Sequence, residues 1–252
     1  MDPEPPAPRV VEARYAAAES TAAHLFVSTL DTTITVDGPD GHHLQRVRRL
    51  RSGEQVTAAD GAGRWRRYVI AGAEPGRLML RAESEVAADP ELRPEVWVAV
   101  SLTKGAKLET VVAQLTELGV ARIEPVRARR SVVRWDGARA EAAVQRLTAV
   151  AREAAMQCRR ARIPVVAPVA DLRTLAGRPG IVVAVRDGQA AADLALPPGG
   201  VWTVVVGPEG GFDPGEVEAL TPSGLLTLSP YVLRAQTAPV AAAALLVARG
   251  AR

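Results

Sequence analysis

The stretch 201-VWTVVVGPEGGFDPGEVEAL-220 runs from a solid apolar block through three closely spaced glycines into a segment that carries the signals of a helix start. Val201 to Val206 reads as a buried strand of the kind that parallel sheets use. Asp213 is a natural N-cap, Pro214 suits the first helical position, and Glu216 completes a capping-box-like arrangement. Gly207, Gly210 and Gly211 let the backbone turn sharply and approach a ligand closely. In an open α/β sheet, ligands sit beyond the carboxyl ends of strands, where this loop falls. The loop matches neither GxxxxGK[ST] nor GxGxxG, so a nucleoside triphosphate or dinucleotide is disfavoured. Glu209 would repel a pyrophosphate and tolerate a neutral or cationic nucleoside, such as one carrying a sulfonium. A tight strand-to-helix turn with no ligand is the other reading of the same residues.

A second loop of this kind follows in 225-LLTLSPYVLRAQTAPVAAAALL-246, where a strand ends at Ser229-Pro230 and Thr237 can N-cap a terminal helix with Pro239 in its first turn. Two such loops suggest one composite pocket. Upstream, EVWVAVSL, VARIEPV and PGIVVAVRDG read as strands, alternating with helices over KLETVVAQLTEL, stopped by Gly119, and over residues 139–158. Leu108, Val111 or Val112, Leu115 and Leu118 share one face of the first of these. Residues 24–84 differ, with short β-type runs separated by the turns DGAG and EPGR, which suggests a small antiparallel barrel or sheet with HHLQRVRRL as its one helix. The polar, proline-bearing 85-EVAADPELRP-94 reads as the linker.

Composition bounds the rest. At 252 residues with 48% hydrophobic and 23% charged content, the chain supports a sizeable core. No apolar run approaches the roughly 20 residues that span a bilayer. The first residues also lack the pattern of a signal peptide, so the protein is read as cytoplasmic, with no membrane partner. One cysteine, Cys158, and three histidines, His24, His42 and His43, give no zinc-type ligand set, and no metal is expected. Residues 1–90 carry 11 basic and 13 acidic groups against 20 and 15 in residues 91–252, so neither half is uniformly basic and local bunching matters more. Arg46, Arg48, Arg49 and Arg51 form one bunch, Arg64, Arg66 and Arg67 with Trp65 a second, and Arg127, Arg129, Arg130 and Arg134 with Trp135 a third. Each is compatible with a solvated face or with RNA phosphate contacts.

GPEGG ahead of a capped helix, followed by 228-LSPYVLRAQTAPVAA-242, resembles the motifs of the SPOUT methyltransferases, and specifically the ribosomal small-subunit RNA (uracil-N3)-methyltransferase family, RsmE. The resemblance extends through 104-KGAKLETVVAQLTELGVARIEPV-126, 129-RRSVVRW-135, 152-REAAMQCRRARIP-164 and 42-HHLQRVRRLRSGEQVTAADGAG-63, and so covers nearly all of residues 24–250. It implies a PUA-like RNA-binding β-barrel over residues 1–90, with a flexible lead over the first ~20. It also implies an α/β SPOUT domain over residues 91–252, with a mostly parallel sheet and a trefoil knot. Its loops would hold S-adenosylmethionine through Val206, Gly207, Pro208, Glu209, Gly210, Gly211, Leu228, Ser229, Pro230, Leu233, Arg234, Gln236, Thr237 and Ala238. The implied activity is methylation of N3 of a specific uridine in 16S rRNA, within the small ribosomal subunit, by a homodimer. Arg234 and Gln236 are the catalytic candidates, and Arg46, Arg48, Arg49, Arg51, Arg64, Arg66, Arg67, Arg129 and Arg130 the RNA-binding ones. Three positions depart from the family pattern: Gln236 stands where glutamate is usual, Arg48-Arg49 interrupts the usual VLRL, and Leu228-Ser229 replaces LG. An amide accepts a hydrogen bond but takes no proton, so a methylase of another RNA and a non-catalytic RNA-binding member are the alternatives.

Overall fold

The computed structural model describes residues 21–38, 41–42, 50–103, 108–133 and 135–250. They form two compact units, one holding the chain up to Pro90 together with Ala155–Ile163, the other Glu91–Ala154 and Pro164–Arg252.

The first unit is built from short strands of β-branched and aliphatic residues: β1 (Ala23–Phe26), β2 (Thr33–Val36), β3 (Gln55–Ala59), β4 (Arg64–Glu74), β5 (Arg77–Ala82) and β6 (Ala87–Ala88). They join in the order β1-β3-β4-β5-β2, with β6 on β4. The turns expected at DGAG and EPGR close the β3–β4 and β4–β5 hairpins. Against the antiparallel expectation, β1 runs parallel to β3. Two-residue alternation sends Ile34, Val36, Val56, Ala58, Tyr68, Ile70, Leu78 and Leu80 into one core. The segment Ala155–Ile163 completes this unit. Ala155 and Ala161 pack with Phe26 and Ala59, and the Ile163 amide donates to Gly61 O at 3.0 Å. Buried His24 links the two stretches, donating from Nε2 to Arg160 O at 3.2 Å while Nδ1 accepts from the Thr57 hydroxyl at 2.8 Å. Sequence periodicity carries no trace of this excursion, because 152-REAAMQCRRARIP-164 reads as the end of a helix whatever it packs on.

The second unit alternates strands and helices: β7 (Glu95–Ser101), α1 (Leu108–Glu117), β8 (Arg122–Arg127), α2 (Gly137–Gln157), β9 (Val165–Val166), β10 (Ala170–Asp171), β11 (Ile181–Gln189), β12 (Val201–Val206), α3 (Pro214–Leu220), β13 (Gly224–Leu226) and α4 (Thr237–Gly250). The sheet order is β10-β8-β7-β12-β11-β13, with β9 on β8, and every pairing in it is parallel. The α1 helix buries Leu108, Val111, Val112 and Leu115, and Gly119, at φ +90°, ends it as expected, with the Val120 amide turned back to Leu115 O at 3.1 Å. Helices α1 and α4 pack together, with α4 against β7 and β12. On the other side, Leu220 of α3 and the short 3-10 turn Leu172–Leu175 join Ala99, Val126, Val183 and Val205 in one core. Because β12 is paired on both edges and buried throughout its last five residues, it reads in sequence as an unbroken apolar run.

Asp60 holds the DGAG turn, accepting from the Ala62 amide at 2.8 Å and the Arg64 amide and Nε at 3.1 and 2.7 Å. Burial alone would raise its carboxyl, but the Arg64 guanidinium and these amides outweigh it and hold the pKa below the ordinary 3.8. A depressed folded pKa stabilises above the unfolded value and is lost as pH falls through the folded one. The stability difference between wild type and Asp60→Asn, from chemical denaturation, is therefore expected to be largest above about pH 4 and to shrink on acidification.

Candidate active site at the carboxyl edge of the parallel sheet

The end of β12 fixes where its loop opens. Val205 lies opposite Val183 of β11, and on the far side of β11 Val183 lies opposite Leu225 of β13. The two strands thus stop at the same height, flanking Ala184, and the loops 207–211 and 228–236 leave one edge of the sheet about 10 Å apart, two strand spacings. The two segments paired by the sequence reading are brought together by register.

The first loop is held from both ends. As expected, Asp213 caps α3: its side chain accepts from the Gly215 amide at 3.2 Å, and the Glu216 carboxylate returns to the Asp213 amide at 2.9 Å. Glu216 does more than sequence indicated. It is 7% exposed, and its other oxygen accepts from the Arg129 amide at 2.7 Å, tying α3 to the loop after β8. From that loop Arg130 donates to Gly210 O at 2.9 Å, while the Arg129 guanidinium lies 3.6 Å from the Asp213 carboxylate. Gly211, at φ +68°, closes the turn by donating to Pro208 O at 2.9 Å. A Cβ on Gly207 would press on the Phe212 ring at 3.0–3.2 Å. Glu209 is exposed.

The second loop is anchored by a feature that sequence reading missed. β11 is not a plain strand: Ala184 and Gln189 both face Leu226, so the residues between them bulge out beside the loop, with Arg186 and Asp187 exposed. Asp187-Gly188 within an apolar run was the available signal. Thr227 fastens to this bulge, amide to Gln189 O at 3.0 Å and hydroxyl to Arg186 O at 3.1 Å. Gly188 sits so close that a Cβ would lie 2.6–2.7 Å from the backbone of Leu226 and Thr227. Further on, Ser229 Oγ accepts from the Tyr231 amide at 3.1 Å. The Arg234 carbonyl takes the Thr237 and Ala238 amides at 2.8 and 3.0 Å, so Thr237 is the first residue of α4 rather than its cap. Leu228, Ser229, Leu233 and Ala238 are half-buried, and Pro230, Arg234, Gln236 and Thr237 are exposed.

A methyl-donor nucleoside bearing a positive sulfonium fits this edge better than a phosphate does. The Arg130 guanidinium, reaching over from the loop after β8, is engaged by Gly210 O, and the first loop's own ionisable side chain, Glu209, is acidic. Ser101, next in register to Gly207, is a buried hydroxyl without a hydrogen-bond partner among the described residues. Some of the arginines expected to contact RNA are engaged within their own unit. Arg66 spends its guanidinium on Ser84 O and Leu30 O at 2.6 and 2.9 Å, Arg64 pairs with Asp60, and alternation along β4 sends Arg67 to the opposite face. Arg51 is exposed, Arg127 reaches Trp135 O at 3.4 Å, and Arg46, Arg48, Arg49 and Arg134 lie outside the described residues.

Comparison with known proteins agrees with this geometry. A family model described as an RNA methyltransferase domain matches residues 90–247, and one described as an RNA methyltransferase PUA domain matches residues 36–82. A Mycobacterium tuberculosis (strain CDC 1551 / Oshkosh) protein named Ribosomal RNA small subunit methyltransferase E is 39% identical over 231 residues, covering 86% of this chain and 88% of its own. Its namesake in Bacillus subtilis (strain 168) is 31% identical over 222 residues, covering 82% and 87%. Among solved structures, a Ribosomal RNA small subunit methyltransferase E from Neisseria gonorrhoeae bound to S-adenosyl methionine superposes with TM-score 0.75 at 28% identity, covering 88% of this chain and 95% of that one. A chain from Legionella pneumophila in complex with the same cofactor gives 0.78 at 25% identity, covering 90% and 98%.

Removing the Glu216 carboxylate leaves two amides unpaired. Glu216→Ala is expected to lower stability by about 1–3 kcal/mol, seen as a drop in thermal midpoint. Gly188→Ala forces the Leu226–Thr227 backbone to move and is expected to cost about 1–3 kcal/mol. It should also weaken S-adenosylhomocysteine binding by titration calorimetry through the displaced second loop.

Proposed function

The chain belongs to the ribosomal RNA small-subunit methyltransferase E family, and we propose that it methylates N3 of one uridine in 16S rRNA, using S-adenosylmethionine. The observation that carries this reading is the register by which the ends of β12 and β13 flank β11 and open both motif loops on one edge. Val206, Gly207, Pro208, Glu209, Gly210 and Gly211 on one side, with Leu228, Ser229, Pro230, Leu233, Gln236, Thr237 and Ala238 on the other, would hold the cofactor. When bound, S-adenosylmethionine supplies an electrophilic methyl group.

The chain's own residues have three tasks: to orient N3, to meet the charge left when its proton departs, and to keep the base unstacked. That charge falls on the flanking carbonyl oxygens, to which a guanidinium offers paired donors. Arg234 is exposed, and its backbone is fixed by the two amides it receives from α4. Gln236, also exposed, can donate and accept but takes no proton, so its part in this reading is to orient neighbouring groups. Residues 1–90 act in this scheme as the RNA-gripping domain and residues 91–252 as the methyl-transferring one. Among the described candidates, Arg51, Arg64, Arg129 and Arg130 are exposed and Arg67 partly so, and these would supply the phosphate contacts. The two loops are tied as a trefoil knot, and the working form is a cytoplasmic homodimer, for which light scattering should give about twice 26.6 kDa. Among the described residues no helix is long and apolar enough to cross a membrane.

The test is transfer of labelled methyl from S-adenosylmethionine to small ribosomal subunits that lack the modification, followed by nucleoside analysis. Labelled 3-methyluridine is the expected product. Arg234→Ala is expected to lower kcat about 100-fold, the range for loss of one charge-stabilising donor. Gln236→Glu should leave turnover within about tenfold, one decade of barrier. A different labelled nucleoside would point to another RNA target, and no label despite S-adenosylhomocysteine binding would point to a catalytically silent RNA-binding protein.

A further inference from the structure

The chain has nine Trp, Tyr and Phe residues, and eight of them are described. Trp202, Tyr68 and Phe26 are buried, and Trp65, Trp97, Trp135 and Phe212 are half-buried. Tyr231 differs, being 81% exposed, with Val232 beside it at 86%. It stands in the second loop, between two runs of cofactor-loop residues, and three positions before Arg234. Ser229 Oγ fixes its backbone amide, so the ring stems from an anchored point. Exposed charges near Tyr231 along the chain and on the bulge to which its loop is fastened include Arg234 and Arg186, with Asp187 next to the latter.

Resting on the methyl-transfer reading, we propose that Tyr231 is a positioning residue on which a base of the RNA substrate stacks at the mouth of the site. A base drawn out of its own stack loses a neighbour on each face, and an aromatic ring at the entrance replaces one of them whatever the base. A tyrosine suits this use because its face is apolar and its hydroxyl stays hydrated when the ring is covered from one side. Arg234, three positions on and exposed, supplies the charge complement that single-stranded RNA sites combine with such rings. A second copy of the chain is the competing occupant, and the molar mass measured below separates it from RNA.

The test compares wild type, Tyr231→Ala and Tyr231→Phe, using small ribosomal subunits lacking the modification as the RNA probe. KM for subunits, filter binding of the same subunits, S-adenosylhomocysteine affinity and molar mass by light scattering are read together. Loss of one stacked base is expected to raise KM and weaken subunit binding about five- to hundred-fold in Tyr231→Ala, while Tyr231→Phe stays within about twofold of wild type. Cofactor-product affinity and mass should not change. Unaltered KM and subunit binding in Tyr231→Ala would overturn the proposal. So would a shift to a smaller mass, which would assign the ring to a subunit interface, or an equal loss of S-adenosylhomocysteine affinity, which would assign it to the cofactor. If wild type itself transfers no methyl group, the methylation reading falls, and filter binding alone decides the role of Tyr231.

Discussion

The site depends on parallel register. β12 pairs with β7 over its whole length and with β11 through Thr203, Val204 and Val205, and β13 is locked to the other edge of β11. Parallel neighbours all run toward the same edge, so loops that are about twenty residues apart in the chain emerge side by side. A slip of one residue in either pairing would turn the apolar side chains of a doubly covered strand out of their cores. The burial of Val183, Val205 and Leu226 therefore fixes the geometry of the loops beyond them.

Register places the loops, and a few polar contacts give them shape. Glu216 unites two jobs, capping α3 and receiving the Arg129 amide, so that helix start and β8 loop move as one body. Arg130 extends that body to Gly210. On the other side, the bulge in β11 gives Thr227 two backbone acceptors, and Gly188 keeps the approach close. Glu209, Arg234 and Gln236, the groups proposed to meet the substrate or cofactor, are exposed and rest on this framework. Such a division between rigid support and exposed chemistry is what preorganised sites require.

Much of this was legible in sequence because it is local. The capping box at Asp213 and Glu216, the left-handed stop at Gly119 and the apolar block of β12 each follow from residues a few positions apart, and each stands where expected. The long-range features left no periodic signal. Parallel pairing of β1 with β3 and the packing of Ala155–Ile163 in the first unit depend on contacts between distant segments. Runs of arginines were the least legible of all: sequence gives proximity along the chain, but strand alternation and backbone carbonyls divide Arg64, Arg66 and Arg67 among different tasks. The second bond of Glu216 was hidden for the same reason, since its partner lies 87 positions away.

The central claim is that the two strand-end loops together form the methyl-donor site. Its most direct test is a crystal structure of the protein grown with S-adenosylhomocysteine. The account predicts density for the nucleoside between the 206–211 and 228–238 segments, in contact with both. Density bound to one loop alone, or at any other part of the molecule, would contradict it.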